Sequence, residues 1–183
     1  RVFGTGTGFI VSILIARFLG AEDAGLYFLA ISIVTFLAVS SRVGLDMIII
    51  KYTGRFIDKE DKGTAKDILI KATLISMPIA LTISATIFLF SDTISLSIFE
   101  KAELGPVLRN LSFSVIALTL IAILAMSMQG LQKSVLSVFT QTISLNLVLI
   151  SYLLLVTNEV SHEDLARMYT TTVLLILLTG YLF

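Results

Sequence analysis

The sequence contains no cysteine and no tryptophan, a single histidine and two prolines in 183 residues. Without cysteine there is no disulfide and no thiolate metal site, and the redox compartment leaves no trace. One histidine cannot build a histidine-rich metal cluster, so neither a metal nor another cofactor is expected. Charge is scarce too: 14% of residues are charged, against about 25% in an ordinary soluble domain. The 13 basic and 13 acidic side chains cancel. No basic surplus is left to neutralise phosphates, which argues against nucleic acid as a partner.

Apolar residues make up 56% of the chain and the mean hydropathy is +0.99. That is too little polar surface to cover a water-soluble globule. Six apolar runs stand out, at 2–16, 25–50, 68–90, 106–128, 134–156 and 168–183. The middle four are long enough to cross a hydrocarbon core of ~30 Å. Backbone groups in lipid must bond internally, which leaves helices or closed barrels. These runs are too long and too irregular in alternation for barrel strands. The fold class is therefore all-α integral membrane, a bundle of about six transmembrane helices forming a single unit over 1–183. The outer two runs are short and the chain opens at Arg1, so it reads as a fragment truncated at both ends. The first run has early glycines and no cleavage-site pattern, unlike a signal peptide.

The connections alternate in charge. Segment 51–71 holds Lys51, Arg55, Lys59, Lys62, Lys66 and Lys71, and the turn 129–134 adds Lys133. The opposite connections hold Arg17, Lys101, Arg109 and Arg167 among many carboxylates. The positive-inside rule places 51–71, 129–134 and the N-terminus in the cytoplasm, and the chain in the inner membrane. Residues Ile94, Leu96, Ile98 and Phe99 are expected along the outer interface. Pro106 suits a helix first turn, and Pro78 is expected to kink the third helix.

The candidate site begins with Arg42 and Asp46. At i,i+4 they share a helix face, with Ser32 and Thr35 on it too, and Arg42 lies about 13 Å inside a boundary near Lys51. One reading makes Arg42 a cation in a water-filled pathway, with Asp46 as its partner or as a protonatable group. The other ends the membrane near Ser41 and makes Arg42 an interfacial anchor. Helix five carries a polar stripe, Ser137, Thr140, Gln141, Ser144 and Ser151, with Asn146 pointing the other way. Such hydroxyls line a cavity, or bond to a neighbouring helix or to their own backbone. Gly4, Gly8, Ser12 and Ala16 form a small-residue stripe suited to close helix packing. The turn Gln129-Gly130-Leu131-Gln132-Lys133 is a helix stop with amides at the inner surface. Three features are set aside: the sequon Asn110-Leu111-Ser112 at a helix start, the solvated carboxylates Asp58, Glu60 and Asp61 among lysines, and His162, which has no visible partner.

The stretch Ala16-Arg17-Phe18-Leu19-Gly20-Ala21-Glu22-Asp23-Ala24-Gly25-Leu26-Tyr27 resembles the connection between helices one and two of polysaccharide-biosynthesis flippases, the O-antigen flippase type. These belong to the multidrug/oligosaccharidyl-lipid/polysaccharide exporter superfamily. Val43-Gly44-Leu45-Asp46 with Lys51 and Arg55, and Gln129 to Lys133 followed by Gln141 and Asn146, are similar to later parts of that family. The resemblance spans the whole chain. It implies one lobe of a MATE-like two-lobe transporter, not an enzyme, facing a second, C-terminal lobe absent from this sequence. It implies export of a polyprenyl-pyrophosphate-linked oligosaccharide for the cell envelope, with membrane lipids as further partners. Arg42 best fits the cavity cation that holds the pyrophosphate, and Asp46 and Gln141 are the accompanying substrate-binding candidates. Two rivals stay in view: a cation-coupled multidrug antiporter of the same superfamily, and a membrane-embedded glycosyltransferase or polymerase.

Overall fold

The computed structural model describes residues 2–55, 62–155 and 161–182, and among them it contains helices and no strand. In order they are α1 (Val2–Ser40), α2 (Leu45–Arg55), α3 (Lys62–Phe99), α4 (Leu104–Leu111), α5 (Ser114–Gly130), α6 (Ser134–Val138), a π-helical turn (Phe139–Ile143), α7 (Ser144–Leu155) and α8 (His162–Leu182). Three stretches are long and apolar enough to cross a membrane: Gly6–Ser40, Lys66–Phe99 and Ser134–Leu155. The pair α4 and α5, bent by 44°, makes a fourth. Gly6–Ser40, at about 52 Å, exceeds one bilayer thickness, and it is interrupted at Gly20 (φ 80°, ψ 175°). Only glycine enters that region without strain. The break divides α1 into two lengths that each match a hydrocarbon core. Helix α8 starts with His162, Glu163 and Asp164 and turns apolar from Met168 on. The chain is an all-α membrane protein.

Three boundaries differ from the sequence reading. The run at 25–50 is not one helix: the chain leaves helical geometry at residues 41–44 and restarts as α2. The serine pair Ser40-Ser41 and the glycine Gly44 (φ 74°) lie at this break. Pro78 lies inside α3, and the helix also kinks farther on, at Phe90, whose angles are non-helical (φ −111°, ψ 15°). The hydroxyls of Thr82 and Thr86 donate to the carbonyls of Pro78 and Thr82, which binds the turns after the proline together. Beyond Phe90 the helix continues to Phe99. Ile94 and Phe99 pack on the core there, while Leu96 and Ile98 stay exposed. The fourth run splits into α4 and α5 at Ser112, whose carbonyl accepts from Ser84 (2.9 Å) and whose own hydroxyl donates to Arg109. Ser112 is buried, and the Asn110 carbonyl accepts from Thr170.

Helix α5 is central. It is apolar all round and packs against α1, α2, α3 and α8. In lipid no hydrophobic force draws helices together, so small residues and interhelical hydrogen bonds must do so. Ser114 bonds to Thr170 (2.8 Å), Thr170 reaches the Asn110 carbonyl (2.8 Å), Thr119 reaches the Ala38 carbonyl (3.3 Å), and Asn146 donates to Thr7 (3.1 Å). The expected small-residue stripe of α1 plays a lesser part. Gly8 faces Asn146, but Ser12 and Ala16 are exposed, and the buried face is Val11 and Ile15.

The two ends of the bundle differ in charge. Glu22, Glu100, Lys101 and Glu103 meet around one pocket, near which Asp23 and His162 approach to 3.3 Å. His162 thus has a neighbour that the sequence did not reveal. At the other end α2 crosses α5 with Gly54 and Gly130 in contact, flanked by exposed Lys51, Arg55 and Lys133. The carboxylates Asp58, Glu60 and Asp61 lie outside the described residues.

A Cβ on Gly130 would sit 2.8 Å from the Thr53 Cβ and 2.9 Å from the Ile50 carbonyl oxygen. Gly130→Ala must push α2 off α5, and we expect a cost of about 1–3 kcal/mol. A lowered thermal midpoint in detergent checks this; an unchanged midpoint contradicts the crossing.

Candidate functional site

The break at 41–44 sets the site. Its backbone turns are closed by short-range bonds, Arg42 N to Val39 O, Val43 N to Ser40 O and Leu45 N to Arg42 O. Val43 sits at φ 49° and Gly44 at φ 74°. A β-branched residue in the left-handed region is an outlier that the surroundings must hold in place. What spans this turn is a side-chain pair. Arg42 Nε donates to Asp46 Oδ1 (2.7 Å) and Nη2 donates to Oδ2 (3.1 Å). The planar fork of guanidinium and carboxylate makes this a bidentate, charge-assisted contact. Arg42 is 7% exposed, while the Asp46 side chain is 29% exposed. Asp46 also lies in the first turn of α2, where the helix dipole favours an anion.

Arg42 lines a cavity of about 110 Å³, room for about three waters at their liquid volume. The walls come from α1 (Thr35, Ala38, Val39), α5 (Leu118, Ile121, Ala122), the π turn (Thr140, Gln141), α7 (Leu145) and α8 (Ile176). Arg42 is the only charged residue among them. Thr35, Val39 and Gln141 are exposed and form an open rim. Thr140 lies one residue from Gln141, and both reach the cavity from the π turn, a local widening of the helix. Along α5, Ala122 lies eight residues from Gly130, or about 12 Å from the basic end of the bundle.

The structure therefore brings Arg42 and Gln141 to one cavity and pairs Asp46 with Arg42, outside the residues that line it. The pairing runs across a broken turn instead of along one continuous helix face. The rest of the helix-five stripe does other work. Ser144 and Ser151 donate to their own helix at Thr140 and Leu147, and Ser137 is buried; Thr140 lines the cavity while its hydroxyl donates to the Leu136 carbonyl. Asn146, set apart from that stripe, makes the interhelical bond to Thr7. Thr35, expected on the same helix face as Arg42, lines the cavity with it, whereas Ser32 is not among the lining residues.

A sequence profile described as polysaccharide biosynthesis protein matches residues 1–183, the whole chain. The chain belongs to that family. Neither the curated proteins nor the solved structures hold a significant match to it. Membership of the polysaccharide biosynthesis family, together with the apolar helices, supports a membrane role in making or exporting polysaccharide.

Removing the carboxylate leaves a buried guanidinium with no counter-ion. Asp46→Ala is expected to destabilise the lobe by roughly 2–4 kcal/mol, read as a lowered unfolding midpoint. A variant as stable as the parent would mean that the pair does not hold the break.

Proposed function

We propose that this chain forms one lobe of a flippase that moves a polyprenyl-pyrophosphate-linked oligosaccharide across the cytoplasmic membrane. The observation that carries the reading is Arg42, a buried arginine that is the sole charge lining an open-rimmed cavity inside an apolar bundle. An intramembrane cation is costly and is kept where it faces a polar path or a partner. A lipid-linked sugar presents the matching problem: its headgroup cannot cross hydrocarbon unaided, while its prenyl tail can stay in lipid. Arg42 offers a planar fork of donors to the pyrophosphate. Gln141 and Thr35 at the rim offer an amide and a hydroxyl to sugar or phosphate oxygens. A second lobe facing the rim would complete the path, and rocking of the lobes about the fixed site would give alternating access. The basic end, with Lys51, Arg55 and Lys133, faces the cytoplasm in this reading.

Arg42→Ala in the full-length protein is expected to abolish surface polysaccharide while the protein still reaches the membrane at parental levels. Polysaccharide output is measured by gel of surface extracts, and protein level by immunoblot of membranes. Normal output removes Arg42 from the mechanism.

A further inference from the structure

Helices α3 and α4 run antiparallel along one seam, and three contacts fix its register. A Cβ on Gly105 would meet Asp92, Arg109 lies over Phe88, and Ser84 donates to the Ser112 carbonyl. Gly105 and Arg109 are four residues apart, so Asp92 stands one helical turn, about 6 Å along α4, nearer the acidic end of the bundle than Arg109. The guanidinium is 5.3 Å from the centre of the Phe88 ring, and that ring meets Phe113 at 5.6 Å. Asp92, Arg109 and both rings are exposed on the bundle. Among the described residues neither Arg109 nor Asp92 makes an ion pair or a side-chain hydrogen bond. A long cationic side chain at an apolar surface ordinarily reaches toward water. This one folds onto a ring and does not close the distance to the carboxylate beyond it. Two opposite charges are thus held one turn apart and unpaired, with exposed rings on their apolar side.

We propose that this seam binds a phospholipid with an ethanolamine headgroup, taken from the leaflet at the acidic end of the bundle. A guanidinium without a partner presents a planar set of donors that matches a phosphate. Phosphoethanolamine carries its ammonium a short link beyond the phosphate, on the side where Asp92 stands. Phosphate on Arg109 and ammonium on Asp92 satisfy both charges at once. A purely anionic headgroup brings nothing for the carboxylate. The acyl chains run toward Phe113, one turn deeper than Arg109. Carboxylate, guanidinium and aromatic rings therefore follow one another along the seam as ammonium, phosphate and hydrocarbon do in the lipid. The cavity at Arg42 is lined by none of these residues, so the site stands apart from the flippase reading.

The test uses the full-length protein in detergent with three probes of identical acyl chains: phosphatidylethanolamine, phosphatidylglycerol and diacylglycerol. Native mass spectrometry reads how much of each is retained. The parent is expected to hold phosphatidylethanolamine best and diacylglycerol least. Arg109→Gln should weaken both phospholipids about tenfold, the worth of a lost charge-assisted contact, and leave diacylglycerol unchanged. Asp92→Asn should bring phosphatidylethanolamine down to the level of phosphatidylglycerol without weakening the latter. Parental retention of phosphatidylethanolamine by Arg109→Gln overturns the site. A parent that holds phosphatidylglycerol as well as phosphatidylethanolamine, or an Asp92→Asn protein that keeps the preference, overturns the ethanolamine assignment. Both altered side chains are exposed, and the variants are expected to fold. Should either fail to fold, the parent decides. Phosphatidylethanolamine with a photoreactive diazirine beside its glycerol, irradiated with the protein in nanodiscs, should label residues within 88–92 or 105–113. Label found only elsewhere, as when a second lobe covers the seam, overturns the proposal.

Discussion

The contact between Arg42 and Asp46 is what the candidate site depends on. A charge buried in a low-dielectric bundle is tolerated only with a partner of good geometry, and the two hydrogen bonds of 2.7 and 3.1 Å supply one. Among the described residues up to Arg55, the same contact bridges the one turn, apart from Gly20, where the chain leaves helical geometry. Helix geometry and electrostatics are therefore linked at one place. The helix breaks so that a guanidinium can turn inward, and the guanidinium, through its carboxylate, fixes how the chain resumes.

Around that point the bundle is held by means suited to lipid. The buried surfaces of α3 and α5 are rich in alanine, serine and threonine, which permit close approach without relying on water exclusion. Several hydroxyls bond within their own helix, so a membrane helix can carry them without a partner. Among those that cross between helices, Ser84, Ser114, Thr119 and Thr170 cluster about α5 and hold α3, α4, α8 and the second half of α1 to one another. The cavity lies where this lattice is interrupted by the π turn on one side and by the break at 41–44 on the other.

Much of this was legible in the chain itself. Hydropathy alone separates the apolar runs, and charge alone separates the two ends, because both are sums over many residues. The spacing of Arg42 and Asp46 foretold their contact. What was not legible were the interruptions. Gly20 and Gly44 look like any other glycine until the backbone shows a positive φ. The break at Phe90 has no sequence signal, while Pro78, the conspicuous residue, lies well inside the same helix. The π turn at Phe139–Ile143 contains neither glycine nor proline. Gln141 was reached through resemblance and polarity and Thr35 through its place on the Arg42 face, but the walls from α5, α7 and α8 were not, because cavity membership depends on how helices rotate against one another and not on any one helix.

The central claim is that the space beside Arg42 belongs to water and not to lipid. Cysteine accessibility in membranes measures this directly, and the absence of native cysteine gives it a clean background. Thr35→Cys and Gln141→Cys line the cavity, whereas Phe36, adjacent in sequence and exposed on the bundle, does not. The account predicts that the first two react with a membrane-impermeant thiol reagent and that Phe36→Cys does not. Equal silence of all three would place the guanidinium against a dry wall and contradict it.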